Sequence, residues 1–443
     1  MESTNVPSSL ISNPYVSIVD NVLVCGSPGR RHRAFPTGVR LPNDDILIGF
    51  RVARDHWMTA DDAFYTSRST DEGRTWSTPV AVAALPGWGV NGVIGQYPDG
   101  IMPREEEKLR AALQLYRWVD SMPSDGTWRE NPVYWIFSED FGETWGKMVL
   151  VHDTIAEVQT DHGMQRFWGL WLHSNESTVH RLKDGRLMGL FVGRADLMCY
   201  NPDSPHKGGS DTPLAGFSSD EGMTWTFCTI ADPAGGVGFS ESDSVCLPNG
   251  RFVAIYGNNA GSPYFFETHS DDEGRTWSAM RQLGFRGDSP SMIRLESGVL
   301  LAAIRSRPEK GKAKPGIGLV ASADEGQSWE MLGNVHDQAN WDMGYPDLIK
   351  LANGQVLCLY YTGNERRAIP SDLEQTLAAR EPNRTIFKGS IRPAALEEIQ
   401  SEIRAVILDQ VGSAAVPNAK PKADERGAGN ISRNSQDDGK AEL

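Results

Sequence analysis

An octapeptide of the form S-x-D-x-G-x-[ST]-W occurs five times in this chain, as Ser69–Trp76 (STDEGRTW), Ser138–Trp145 (SEDFGETW), Ser218–Trp225 (SSDEGMTW), Ser270–Trp277 (SDDEGRTW) and Ser322–Trp329 (SADEGQSW). The starts lie 69, 80, 52 and 52 residues apart, the spacing of one supersecondary unit each, so a repeat architecture is implied before anything else. Each position has a physical task in a tight hairpin. The Asp carboxylate accepts from backbone N–H groups of its own turn, Gly supplies a positive φ, the hydroxyls close the loop, and Trp leaves the turn as an apolar wedge. The five Asp residues (Asp71, Asp140, Asp220, Asp272 and Asp324) are therefore expected to be structural.

A looser unit precedes most of these turns: a strand ending in Leu, a short turn, then an apolar strand. It reads VRLPNDDILIGFR (39–51), VHRLKDGRLMGLFVGR (179–194), VCLPNGRFVAIYGN (245–258), IRLESGVLLAAIR (293–305) and IKLANGQVLCLYYT (349–362), with a degraded copy at 95–118. Two strands from this unit and two around the octapeptide make a four-stranded antiparallel blade. Radial repetition of such blades solves the problem of unpaired sheet edges. The expected fold is all-β: a six-bladed or seven-bladed β-propeller over residues 1–392, the seventh blade being allowed by the length of Val149–Trp171. The last unit lacks an octapeptide, so its outer strands are expected from Arg384–Arg392 and the segment around Val16–Val24. Residues 393–411 carry Leu396, Ile399, Ile403 and Val406 at helical spacing and predict an amphipathic helix. From Gly412 to Leu443 large apolar residues almost vanish, and a disordered tail is expected.

The formal charge of −15 opposes a basic face for nucleic acid or anionic lipid, so neither is an expected partner, whereas a small acidic ligand could still meet a local arginine cluster. No 18-residue apolar run and no export signal is visible, which points to a cytoplasmic protein. The five cysteines are widely spaced, without a CxxC pair, and read as buried free thiols. No metal-ligand spacing or nucleotide-binding glycine motif occurs, so no cofactor and no metal are expected.

Function is sought where the repeats differ. Six residues before each terminal Leu stand Phe35, Glu176, Glu241, Ser289 and Tyr345; ten to twelve after it stand Arg51, Arg194, Gly257, Arg305 and Tyr361. In a propeller these two registers face the axial mouth, so carboxylates, tyrosines and arginines from different blades would converge there.

With these octapeptides and blade units the chain resembles the sialidase (neuraminidase) superfamily of Asp-box, or BNR-repeat, propellers over roughly residues 20–392. The resemblance implies a glycoside hydrolase acting on an α-linked acidic sugar such as a sialic acid. Its three-arginine carboxylate clamp would be Arg33, in HRAFP where the family has Phe-Arg-Ile-Pro, with Arg194 and Arg305. Its nucleophile would be Tyr345, in Gly-Tyr-Pro-Asp where the family has Gly-Tyr-Ser. Glu176 is the positional match for the base that a phenol needs, with Glu241 as competitor. Asp55 is favoured as acid/base over Asp61 and Asp62.

Two other classes are weighed. His32, His56 and His173 fall beside mouth positions, and with an arginine-bound uronate such a histidine could start β-elimination, which would make the protein a polysaccharide or oligosaccharide lyase. A non-catalytic carbohydrate-binding propeller is the third class, since fold does not fix function. In each case the expected partner is an acidic carbohydrate.

Overall fold

A computed structural model describes residues 13–26, 32–53, 62–94, 97–103, 108–118, 129–130, 132–152, 155–160, 163–171, 179–194, 211–231, 238–260, 262–309, 311–338, 342–363 and 401–411. Strands dominate. After β1 (Val16–Cys25), the first sheet runs β2 (His32–Arg40), β3 (Ile46–Ala53), β4 (Ala63–Ser69) and β5 (Val80–Ala84) in that order. The second is built from β6 (Gly89–Ile94), β7 (Leu109–Trp118), the two-residue β8 (Arg129–Glu130), β9 (Val133–Ser138) and β10 (Val149–His152), ordered β10-β9-β7-β6 with β8 beside β7. The third takes β11 (Ile155–Thr160), β12 (Gly163–Trp171), β13 (His180–Arg181), β14 (Leu187–Arg194), β15 (Thr212–Ser218) and β16 (Thr226–Thr229), ordered β12-β11-β16-β15-β14-β13.

A seven-stranded sheet follows in sequence order: β17 (Gly238–Cys246), β18 (Phe252–Ala260), β19 (Tyr264–Ser270), β20 (Arg281–Arg294), β21 (Leu300–Ser306), β22 (Gly316–Ser322) and β23 (Glu330–Asp337). It is two four-stranded units sharing β20, whose first half pairs with β19 and whose second half pairs with β21. The last sheet combines β24 (Met343–Lys350), β25 (Val356–Gly363) and β26 (Ser401–Gln410) with β1, in the order β1-β26-β25-β24.

The octapeptides behave as their chemistry requires. In the second, the Ser138 hydroxyl donates to Asp140 Oδ1 at 2.8 Å and accepts the Gly142 N–H, while Asp140 accepts the Thr144 N–H and hydroxyl. The other four turns repeat this pattern. The residue before each Gly also has a positive φ, between 55° and 62°. Each turn leans on the preceding unit: Gly142 on Leu47, Gly274 on Met188, Gly326 on Val253, and the Gly222 carbonyl accepts from Trp135 Nε1 at 2.6 Å. Gly73 of the first unit meets Leu357 of the last, so the units close into the ring of a β-propeller.

Inner strands are also stitched by side chains. Thr37 Oγ1 accepts from Ile94 N, Asp243 Oδ2 from Met292 N, Ser291 Oγ from Leu348 N and Asp347 Oδ2 from Gly38 N, at 2.7–3.0 Å. Near the far end of these strands lies a 3-10 turn, Pro98–Gly100. Its Asp99 accepts from Arg294 N and pairs with Lys350 Nζ, and Gly100 lies against Ile349. The turn thus packs across the axis against units far from its own in sequence.

Three expectations change. Residues 401–410 form strand β26, not a helix, because the segment is inserted between β25 and β1 and buries both faces: Ile403, Ala405 and Ile407 pack towards the first unit, Val406 and Leu408 towards the fifth. The segment around Val16–Val24 does supply the outermost strand, as expected, while β26 takes the place foreseen for Arg384–Arg392, which lie outside the described residues, as do 393–400 and 412–443. The thiols Cys25, Cys228, Cys246 and Cys358 are free, but only Cys25 and Cys358 are buried, and Cys246 is exposed. Val149–Trp171 does hold extra strands; its β11–β12 hairpin joins β16 in parallel and reaches back to β14. Among the described residues no helix is long and apolar enough to cross a membrane.

Candidate functional site

Four inner strands carry the same irregularity. The ladders of β2, β17, β20 and β24 each shift register, between Ala34 and Thr37, Ser240 and Ser242, Asp288 and Ser291, and Gly344 and Asp347. At each bulge one residue has a positive φ: Phe35 (58°), Glu241 (52°), Ser289 (53°) and Tyr345 (46°). Left-handed backbone is uncommon for residues with a side chain, more so for bulky ones, and strained bulges of this kind gather at functional sites. These are four of the five residues that the sequence register aligned.

They meet. The Tyr345 hydroxyl donates to Glu241 Oε1, and the Ser289 hydroxyl donates to Glu241 Oε2 at 2.6 Å. Arg305 lies with its guanidinium carbon 5.1 Å from the Tyr345 ring centroid and Nη2 3.8 Å from Glu241 Oε2. Its Nε is held by Asp288 Oδ1 and its Nη1 donates to the Met343 carbonyl at 3.2 Å. Gly344 makes room for it, since a Cβ there would stand 2.7 Å from Arg305 Cδ. Arg307 binds the other Asp288 oxygen at 3.0 Å.

On the other side Phe35 meets the Tyr345 ring edge-on at 4.7 Å, with Arg51 stacked 4.7 Å from the Phe35 centroid. Arg51 faces Asp62 at 3.7 Å, both fully buried. Tyr361 stacks on Tyr345 at 6.3 Å, and its hydroxyl and His32 Nε2 each approach Asp342 Oδ1 at 3.2 Å.

Burial, and then the Glu241 charge, push the Tyr345 phenol well above its usual range, against the pull of Arg305. It is therefore a neutral phenol, inert as a nucleophile until a base takes its proton. Burial works against the charge on Arg305, but Asp288 and Glu241 outweigh it and hold the guanidinium well above its ordinary value. Burial likewise works against the Asp288 carboxylate, and Arg305 and Arg307 outweigh it, keeping its pKa low. The cluster thus holds a permanent cation beside a phenol that is hydrogen-bonded to a carboxylate.

Of the residues singled out in the sequence, Tyr345, Glu241, Arg305 and Arg51 are brought together. Arg33 is placed differently: its backbone N–H and carbonyl both meet the Ser401 hydroxyl at 2.6 Å, and its guanidinium lies beside the Cys25 thiol. Arg194 closes β14, where its backbone pairs with Trp168; its side chain lies outside what is described. Asp55, Asp61, His56, His173 and Glu176 also lie outside the described residues. Asp288 and Arg307 join this cluster from outside the two aligned registers. The signal was there: at the position just before the bulge residue the strands read Ala34, Ser240, Asp288 and Gly344, and only one is charged.

Residues 107–358, more than half of the chain, match the model of the BNR repeat-like domain. The chain belongs to this BNR repeat-like family. No curated protein matches it in sequence. Among solved structures, this BNR repeat-like protein is similar to a protein of unknown function from Dyadobacter fermentans, with a TM-score of 0.64 and 19% identity over 90% of this chain and 100% of that one. It is also similar to the Hadza microbial sialidase Hz136, with a TM-score of 0.54 and 18% identity over 75% and 66% of the two chains. The NanB sialidase of Streptococcus pneumoniae gives 0.55 and 12% over 90% and 71%. At such identities the likeness establishes the sialidase-type propeller fold.

Proposed function

We propose that this protein is a sialidase-like glycoside hydrolase that removes an α-linked acidic sugar from a glycoconjugate or oligosaccharide. The hydrogen bond from Tyr345 to Glu241, set beside Arg305, carries the reading. Sialidases with this fold among the similar structures add support.

In the proposed reaction Arg305 grips the substrate carboxylate with its planar guanidinium. Arg51 lies across the Phe35–Tyr345 pair, and Arg194, in the matching register of β14, is our further choice for the clamp. Glu241 takes the phenol proton as the Tyr345 oxygen attacks the anomeric carbon, and the bond to the leaving oxygen breaks as an acid protonates it. Asp55 is our choice for that acid. Asp62, one of its rivals, faces Arg51 inside the protein. Water then attacks the anomeric carbon of the tyrosyl–sugar adduct, giving its proton to the Asp55 carboxylate, as the bond to the Tyr345 oxygen breaks and Glu241 returns the phenol proton.

The test is incubation of wild type and a Tyr345→Phe variant with a panel of sialosides and uronate-capped oligosaccharides. Release of the free acidic sugar by the wild type and not by the variant is the expected result. Glycan binding without turnover would make the protein a binding module, and a rise in ultraviolet absorbance with uronate substrates would mean elimination in place of hydrolysis; either overturns the reading.

A further inference from the structure

Glu241 is shared between two hydroxyls, and only one of them has a place in the reaction above. Its Oε1 accepts from Tyr345; its Oε2 accepts from Ser289 at 2.6 Å, with Arg305 Nη2 further off at 3.8 Å. Ser289 is fully buried and occupies in β20 the same bulge seat that Glu241 occupies in β17 and Tyr345 in β24. Three successive inner strands therefore present Glu, Ser and Tyr from equivalent backbone positions into one hydrogen-bonded set.

We infer that Ser289 is a positioning residue for the Glu241–Tyr345 pair, fixing the carboxylate in the orientation that brings Oε1 to the phenol. The inference rests on the reading of Glu241 as the base. A hydroxyl has a single proton to donate. For Ser289 the alternative acceptor, Asp288 Oδ1, is 3.3 Å away against 2.6 Å for Glu241, so the proton goes to Glu241.

Without that donor, Oε2 would face the Arg305 guanidinium, whose Nη2 lies 3.8 Å away. A carboxylate in that position turns towards the guanidinium to recover a charge-assisted bond. Such a turn carries Oε1 off the phenol. Asp288 holds Arg305 by Nε, so the guanidinium stays in place while the carboxylate turns to it. Serine suits the seat as a small group whose hydroxyl reaches Oε2, where the neighbouring strands carry larger side chains.

The experiment compares Ser289→Ala with Ser289→Gly in the full chain. Glycine accepts the positive φ of this seat without strain, so the second variant loses the hydroxyl and relaxes the backbone. Both are expected to fold and to lower kcat by about 10- to 100-fold with little change in KM. An unchanged kcat in either folded variant would overturn the proposal, as would a loss in Ser289→Ala that Ser289→Gly restores. If the wild type turns over no substrate, the catalytic reading has failed, and Ser289 is judged by crystal structures of the two variants beside the wild type. A Glu241 carboxylate turned off the Tyr345 hydroxyl in both variants sustains the positioning role; an unmoved one ends it.

Discussion

Glu241 on β17 and Tyr345 on β24 lie 104 residues apart in sequence and share a hydrogen bond inside the ring, each at a strained bulge. Neither side chain reaches the other through its own sheet. The contact exists because the units close into a circle, which makes the pair a product of the architecture. Glu241→Gln keeps the shape and removes the proton acceptor, so kcat is expected to fall by roughly a hundred-fold or more while the variant still folds. Glu176→Gln is the control. Steady-state kinetics in which Glu176→Gln suffers the larger loss would move the base to Glu176.

Arg305 is held through two nitrogens, by Asp288 at Nε and the Met343 carbonyl at Nη1, and faces Glu241 with Nη2 at 3.8 Å. Lysine has one cationic nitrogen and no fork, and cannot meet all of them. Arg305→Lys is expected to raise KM about 10-fold or more for an acidic substrate and to leave KM for a neutral analogue unchanged. Equal losses with both substrates would assign the arginine to scaffolding.

The fold was legible to the extent that local chemistry repeats. Each box turn is satisfied within eight residues, so five copies announce themselves. The bulge register was also legible, since it lies a fixed distance from a conspicuous Leu. Closure was harder to read. In SEIRAVILDQ apolar residues at Ile403 and Val406 mimic a helical face, yet this strand is buried on both sides between β25 and β1, and such strands lose the alternation that marks a half-exposed one. Arg33 illustrates another limit. It lies two residues before the bulge residue Phe35, so a match to a short motif could not say which of the two would face Tyr345; Phe35 does.

The box carboxylates should matter for stability and not for chemistry. Hydrogen bonds from Thr144 and Ser138 pull the Asp140 pKa down to about 2. A depressed pKa stabilises the fold above the unfolded value near 3.8, and that contribution is lost as pH falls towards 2. Asp140→Ala is expected to lower the melting temperature by a few degrees at neutral pH, by less near pH 2, and to leave kcat unchanged. A kinetic defect at full stability would contradict this.

Asp347 behaves in the opposite sense. Burial raises its pKa to about 7, against hydrogen bonds from Gly38 and Ser291 that lower it. The folded protein therefore holds this proton more tightly than the unfolded chain. The favourable contribution is complete below about pH 4 and is lost as pH rises through 7, a difference of at most about 4 kcal/mol. Asp347→Asn keeps an oxygen for the Gly38 N–H and removes the ionisation. Denaturation midpoints measured from pH 4 to 8 should show a flatter profile for the variant; parallel profiles would mean that Asp347 does not titrate in this range.

The ring is also latched by Ser401. Its hydroxyl meets both the N–H and the carbonyl of Arg33 at 2.6 Å, joining the start of β26 to β2 in the first unit, and it is buried. Removing it takes the hydroxyl away from two backbone groups, a cost of about 1–3 kcal/mol for any group left unsatisfied. The same bond fixes the strand that leads to Phe35, and Phe35 packs edge-on against Tyr345. Ser401→Ala should therefore lower stability and also loosen the site, seen as faster amide exchange across β2 together with a fall in kcat. Ser401→Thr retains the hydroxyl and should recover the exchange protection if the added methyl is tolerated. Loss of stability with β2 protection and kcat both intact would confine the latch to closure of the ring and detach it from the placement of Phe35.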